Sequence, residues 1–256
     1  METIEVGEGR AARSIAVERR DGTEPVIVWF GGFRSDMRAT KAEALDAWAA
    51  GTGRAMLRFD YSGHGSSGGD FLDGTISRWL EEALVVLARF GGVRPVLVGS
   101  SMGAWIALLA ARAQAADPRR RVGHLVLLAP AADFTERLMW DAFTPEIRQA
   151  IERDGIHHRP SAYADEPYAI TRGLIEDGRR HLLLDGDVEP GCPVHVIQGL
   201  RDPDVPWEHA MRLVERLPGE DVQVTLVGDG DHRLSRPQDI DRLVKAVDEA
   251  VRRAAA

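Results

Sequence analysis

Six short, nearly continuous apolar runs, at 26–30, 55–59, 95–98, 125–129, 194–197 and 222–227, constrain this chain more than any other feature. Runs this short suit strands buried on both faces of a parallel sheet. Between most of them lie stretches of helical periodicity, at 38–50, 75–90, 101–115, 207–217 and 237–253. Repeated strand–helix units predict an α/β fold with a mostly parallel, doubly wound sheet. Residues 3–6 and 14–18 alternate in polarity instead, which predicts a half-exposed hairpin at the sheet edge.

The rhythm breaks once. Between 131 and 190 no sheet strand is evident, and helix-like pieces at 134–140, 145–153 and 168–180 are separated by Gly, Pro and His. A structureless loop of that length is improbable in a compact domain. The segment is expected to form a small helical cap over the active face of a single domain spanning residues 1–256.

The chain has 256 residues, a length that suits one α/β unit. Its 32 Lys and Arg stand against 40 Asp and Glu, a net charge of −8. That balance speaks against nucleic acid or an anionic membrane surface as a partner. Cys192 is the one cysteine, so no internal disulfide forms, which fits a reducing compartment. The N-terminus lacks the basic start and apolar stretch of a secretory signal. No apolar run approaches the roughly 20 residues that span a bilayer. The expectation is a cytoplasmic protein with no stable membrane association.

Gly99-Ser100-Ser101-Met102-Gly103 matches G-x-S-x-G between an apolar run and a helical stretch. That strand–turn–helix setting is what the nucleophile elbow of the α/β-hydrolase fold requires. A side chain two positions either side of the serine would collide with the neighbouring strand or helix. Ser101 is therefore the candidate nucleophile, and Ser100 sits outside the central position. Cys192 precedes Pro193 at a strand start without an activating motif, and reads as a structural thiol.

In this fold the acid and then the base follow the serine. Gly228-Asp229-Gly230-Asp231-His232 lies directly after the last apolar run, which makes His232 the candidate base. The acid belongs after the preceding strand, where Gly199-Leu200-Arg201-Asp202-Pro203-Asp204 offers two carboxylates. Asp202 follows the strand more closely and is preferred over Asp204. Its task is to fix the imidazole tautomer and stabilise the imidazolium. His64 falls too early for the base and reads as part of a packed turn. The pair His157-His158 reads as surface. No complete zinc or calcium spacing surrounds 229–232, so neither a metal nor another cofactor is expected.

Acyl transfer also needs donors aimed at the oxygen that becomes negative. The N–H of Met102, directly after the serine, supplies one. The loop Gly31-Gly32-Phe33-Arg34-Ser35-Asp36 supplies the other, with Phe33 the favoured donor among Gly32, Phe33 and Arg34.

Taken in order, Gly31-Gly32-Phe33-Arg34-Ser35-Asp36-Met37, Arg58-Phe59-Asp60-Tyr61-Ser62-Gly63-His64-Gly65, Gly99-Ser100-Ser101-Met102-Gly103-Ala104-Trp105, Val205-Pro206-Trp207 and Asp231-His232-Arg233 resemble one α/β-hydrolase subgroup. It contains a mitochondrial palmitoyl-protein thioesterase that also cleaves acyl glucuronides, together with bacterial relatives. The resemblance runs over nearly the whole chain and is weakest in the cap. It implies the same Ser101, Asp202 and His232, and an esterase or thioesterase. Gln198 stands where many relatives have a histidine, a departure expected to leave the chemistry untouched. No transit peptide is evident, so the mitochondrial location is not carried over.

The expected function is serine-dependent hydrolysis of a small-molecule acyl ester or thioester, or of an acylated protein. Large apolar residues around the mouth predict a hydrophobic acyl pocket, with Trp140 and Trp207 nominated as substrate-binding. The alternatives are a serine peptidase or amidase on the same fold, and a non-catalytic binding protein that kept the fold.

Overall fold

The computed structural model describes residues 1–159, 167–219 and 221–255. Ten strands form in chain order: β1 (Glu2–Val6), β2 (Arg13–Arg20), β3 (Thr23–Phe30), β4 (Arg54–Phe59), β5 (Val96–Ser100), β6 (His124–Leu128), β7 (Ile156–Arg159), β8 (Tyr168–Thr171), β9 (Val194–Gly199) and β10 (Val222–Val227). The helices are α1 (Thr40–Thr52), α2 (Ile76–Phe90), α3 (Met102–Gln114), α4 (Pro145–Asp154), α5 (Arg172–Gly178), α6 (Trp207–Glu215) and α7 (Pro237–Ala255).

Eight strands make one sheet in the order β1-β2-β4-β3-β5-β6-β9-β10. The β1–β2 and β2–β4 pairs are antiparallel and every other pair is parallel. The period of two along each strand divides the core. Val26, Val28 and Phe30 of β3 join Leu97, Leu125 and Leu127 against α2 and α3. Ile27 and Trp29 join Val96, Val98 and Val126 against α1 and α7 on the other face. Both faces are covered, which is why the central runs are apolar without alternation. The last run behaves differently. β10 is an edge strand, and its Val224 and Leu226 are exposed.

Strand order reverses around β3: the chain moves from β3 to β4 on one side and returns to β5 on the other. In open α/β sheets the crevice outside the carboxyl ends of the strands at such a switch point is where ligands bind. The loops after β3, β5, β9 and β10 all leave from that end.

Among the described residues, the segment between β6 and β9 adds no strand to the main sheet. A turn of π-helix covers Thr135–Trp140, and α4 is capped by Thr144, whose side chain accepts from Ile147 N. The expectation of a third helix from 168 is corrected. Tyr168–Thr171 is a strand, paired antiparallel with β7, and the helix begins at Arg172, running to Gly178 and on into a 3-10 turn at Arg179–His181. The short run Ile-His-His-Arg gives no periodic signal, because a two-stranded ribbon is set by its partner. Part of the expected cap, residues 160–166, lies outside the described residues.

Candidate active site

Ser101 occupies the turn between β5 and α3 with φ 55° and ψ −118°, a conformation that costs energy for any residue with a side chain. The surroundings hold it. Ser101 N donates to Leu128 O at 2.9 Å, and Ser101 O accepts from Ala104 N and Ala131 N at 3.0 and 3.2 Å. The flanking glycines are required by contact. A Cβ on Gly99 would stand 2.6 Å from Gly103 O, and one on Gly103 would stand 2.1 Å from Phe30 O.

The loop after β3 approaches Ser101 closely. A Cβ on Gly32 would lie 3.5 Å from that of Ser101. Phe33 anchors the loop with its ring, packed against Phe71, Trp79, Phe134 and Tyr168 at centroid separations of 5.0 to 6.0 Å. Buried Asp60 holds the loop's far end, accepting from Met37 N and Ser66 N at 2.7 Å each. Burial pushes its carboxyl pKa up. Neither anchor is evident from spacing, since both reach across the sequence.

On the opposite side, His232 Nδ1 and Asp202 Oδ2 are 2.8 Å apart. The Asp202 side chain is fully buried. Its Oδ1 accepts from the N–H groups of Asp204 and Val205 at 2.9 and 2.8 Å. Asp204 itself is exposed. Gln198 lies beside this group: its Nε2 is 3.4 Å from Asp202 Oδ2. Lys41, in the first turn of α1, donates from Nζ to Arg233 O, next to His232. Burial first, and then repulsion from Arg233, lowers its pKa to about 8.

Ser101, His232, Met102 and Phe33 line one cavity of about 760 Å³. Phe134, Leu138, Met139, Ala142 and Tyr168 from the β6–β9 segment form one wall, while Arg34, Lys41, Arg159 and Arg233 bring positive charge to others. Trp140 and Trp207 are not among the lining residues. Trp140 stacks under Arg148 and Arg179, and Trp207 is 40% exposed at the start of α6. Helical periodicity places these indoles near the mouth but does not fix which way they turn.

The other nominated or weighed residues sit as follows. His64 is buried, its Nδ1 3.1 Å from Ser62 O, and burial lowers its pKa to about 4. Burial pushes the Cys192 thiol up to about 12, so it stays protonated. His157 packs on Phe143 and His158 is exposed. Among the described residues, Asp202, Asp204 and His232 are the one group with metal-ligand atoms within 4.8 Å of each other. There His232 Nδ1 already faces Asp202, as an ion pair would have it.

Comparison with known proteins agrees with this architecture. The model of the alpha/beta hydrolase family matches residues 28–246. Over 239 residues the chain is 32% identical to the human mitochondrial palmitoyl-protein thioesterase ABHD10, covering 93% of this chain and 76% of that protein. For the mouse protein the identity is 34%, covering 93% and 79%. The crystal structure of a protein from Agrobacterium vitis S4 matches with a TM-score of 0.94 at 50% identity, covering 98% of each chain. That of mouse alpha/beta hydrolase domain-containing protein 10 matches at 0.86 and 31%, covering 97% and 98%.

These relatives correct one expectation. The curated mammalian proteins are mitochondrial by name, so the cytoplasmic location inferred from the N-terminus does not stand. A leader is judged poorly from composition alone. No helix among the described residues is long and apolar enough to cross a membrane. Membership supports hydrolase activity in general, and the chain belongs to the α/β-hydrolase family, related within it to mitochondrial ABHD10 and its bacterial relatives.

Proposed function

We propose that the protein is a serine esterase or thioesterase that works through an acyl-enzyme on Ser101. The observation that carries this reading is the 2.8 Å contact between His232 and buried Asp202 beside a cavity that Ser101 also lines. With Nδ1 committed to Asp202, Nε2 is the ring nitrogen free to act on the serine. Ser101 Oγ attacks the acyl carbonyl while His232 Nε2 takes its proton. The N–H groups of Met102 and Phe33 stabilise the oxyanion. The imidazolium then returns the proton to the departing alcohol or thiol. Water, deprotonated by the same nitrogen, releases the acid and regenerates the serine.

The segment between β6 and β9 acts as a cap, and its apolar wall receives the acyl chain. The mammalian relatives are palmitoyl-protein thioesterases by name, which favours thioesters and ranks an acylated protein beside small acyl esters as substrate. The mechanism uses side chains and backbone donors and calls for no cofactor. An amidase would use the same groups, and cleavage of acyl anilides in preference to esters would select it.

The test is hydrolysis of p-nitrophenyl and thiophenyl esters with wild type and Ser101→Ala. Wild type turns over and is labelled at Ser101 by a fluorophosphonate, while the alanine variant folds and does neither. Labelling at Ser100, or full turnover by Ser101→Ala, would overturn the assignment. A folded wild type inert to both ester types would favour a binding protein.

A further inference from the structure

We propose that Gln198 is a positioning residue for the candidate acid: its buried carboxamide clamps the loop that carries Asp202 and so keeps the carboxylate in line with His232. The proposal rests on the Ser101–His232–Asp202 reading above.

Gln198 is the penultimate residue of β9, fully buried between β6 and β10. A position inside a parallel sheet ordinarily takes an apolar side chain, and here a glutamine is present at a cost. Its Oε1 is buried without a hydrogen-bond partner, and such an orphaned acceptor destabilises a fold. Leucine or methionine would fill the space without that penalty, so packing does not account for the amide.

The nitrogen does account for it. Nε2 lies 3.0 Å from Gly199 O, 3.0 Å from Val205 O and 3.4 Å from Asp202 Oδ2. Reversing the amide would turn an oxygen toward three oxygens, so the network fixes its orientation. Gly199 and Val205 bracket Asp202 in the chain. One –NH2 group therefore draws the two ends of the acid loop together. That closure sets Asp204 N and Val205 N against Oδ1, which leaves Oδ2 for His232. The longer third contact adds a donor to the same oxygen. Other charged groups face this pair: Lys41 from α1, Asp204 within the loop, and Asp231 and Arg233 from the loop after β10.

The experiment uses the full chain, p-nitrophenyl butyrate as substrate, and active sites counted by fluorophosphonate. Gln198→Leu is expected to lower kcat per site by about 10- to 100-fold, the scale of a hydrogen-bond set around a buried charge. KM should stay within about 3-fold, since the loss falls on the transition state. Gln198→His restores a buried N–H and recovers most of that loss. Gln198→Glu keeps the shape but sets a second carboxyl beside Asp202. Two carboxyls in contact cannot both ionise, so the pair shares one proton, and the single –OH serves only one of the three acceptors; kcat per site recovers less than in Gln198→His.

A merely structural glutamine would give fewer titratable sites with unchanged kcat per site, and that outcome overturns the proposal. If Gln198→Leu fails to fold, the Glu and His variants decide: a kcat per site equal to wild type in the first, or a loss in the second as great as that of Asp202→Asn, rejects the role. Asp202→Asn separates the two readings. Full turnover by it removes the triad itself. An inactive Asp202→Asn beside a Gln198→Leu that turns over like wild type removes only the clamp.

Discussion

Gly199 and Gly230 pack backbone against backbone: a Cβ on Gly199 would stand 2.4 Å from Gly230 O, and one on Gly230 would stand 3.0 Å from Gly199 Cα. Arg201 N also donates to Gly230 O at 2.9 Å, and Leu200 N to Val227 O at the same distance. The loops that carry Asp202 and His232 are thus sewn together by main chain before either side chain is considered. The pair can meet at 2.8 Å because nothing bulkier than hydrogen separates their loops.

The first prediction follows from the two carboxylates on one of those loops. Asp202→Asn is expected to lower kcat by about 10⁴-fold, because it removes the charge that steadies imidazolium and upsets the tautomer. Asp204→Asn should cost far less, since its side chain is exposed and it contributes its N–H to Asp202. Steady-state kinetics on a p-nitrophenyl ester check the ranking, and the reverse order would transfer the role to Asp204.

A second prediction contrasts two glycines. Gly103→Ala drives a Cβ against Phe30 O and Gly31 O, and should destabilise the fold by roughly 1–3 kcal/mol, as overpacking does. Activity should fall as well, because the carbonyls it pushes lead into the Gly32–Phe33 loop. Gly51→Ala, in α1 with nothing within 4 Å of the new Cβ, should stabilise by roughly 0.5–1 kcal/mol. Urea denaturation of both variants reads the two signs.

The third prediction concerns acyl length. Each buried methylene is worth about 0.8 kcal/mol, or roughly fourfold in binding. kcat/KM should rise from acetyl to at least butyryl or hexanoyl esters. Leu138→Ala or Met139→Ala should shift preference among longer chains, since both residues line the cavity. Trp140→Ala should not, because Trp140 lies outside the lining, between arginines. A strong preference for acetyl over every longer ester would show the wall closing the pocket.

The fourth uses buried His64. Its folded pKa of about 4 lies below the value near 6.5 that it recovers on unfolding. Between those values the unfolded chain binds the extra proton, so stability is complete above about pH 6.5 and is lost as pH falls toward 4. The loss from this group amounts to roughly 3 kcal/mol by pH 4. His64→Asn keeps a donor for Ser62 O and cannot titrate. Its stability should fall less steeply across that window, by about one proton's worth of slope, in urea melts at stepped pH. Parallel curves would remove His64 as a source of the acid sensitivity.

Much of this was legible in the sequence for identifiable reasons. Strands buried on both faces leave continuous apolar runs, so β3 to β6 stand within a few residues of their expected places. The candidate elbow is legible because its two glycines, required by contacts within the turn and with the end of β3, stand at fixed places in a five-residue motif. Asp202 was preferred to Asp204 as candidate acid from its place after the strand, whereas its contact with His232 across 30 positions lies beyond what spacing gives. The β7–β8 ribbon was not legible, because polar Ile156–Arg159 is a strand only beside its partner. Nor were Lys41 and Gln198, whose roles come from what the fold sets next to them. Trp140 and Trp207 failed as lining residues because a pattern gives a residue's place but not the direction of its ring.

The segment between β6 and β9 leaves the sheet after Leu128, at the carboxyl end, and re-enters it at Val194, at the opposite end, and the parallel pairing of the two strands (Leu125 with Val194, Leu128 with Ile197) holds both points in place. A crossing anchored at both ends by strands that pair without its help places little demand on the chain in between. Lengthening a loop whose ends are already fixed costs only about 0.6 kcal/mol per doubling. The roof of this cavity is therefore an exchangeable part. Sequence there can drift, grow or be transplanted from a homologue while the strands that present Ser101, Asp202 and His232 keep their spacing, so the lining of the cavity is open to change in a lineage without rebuilding the candidate site.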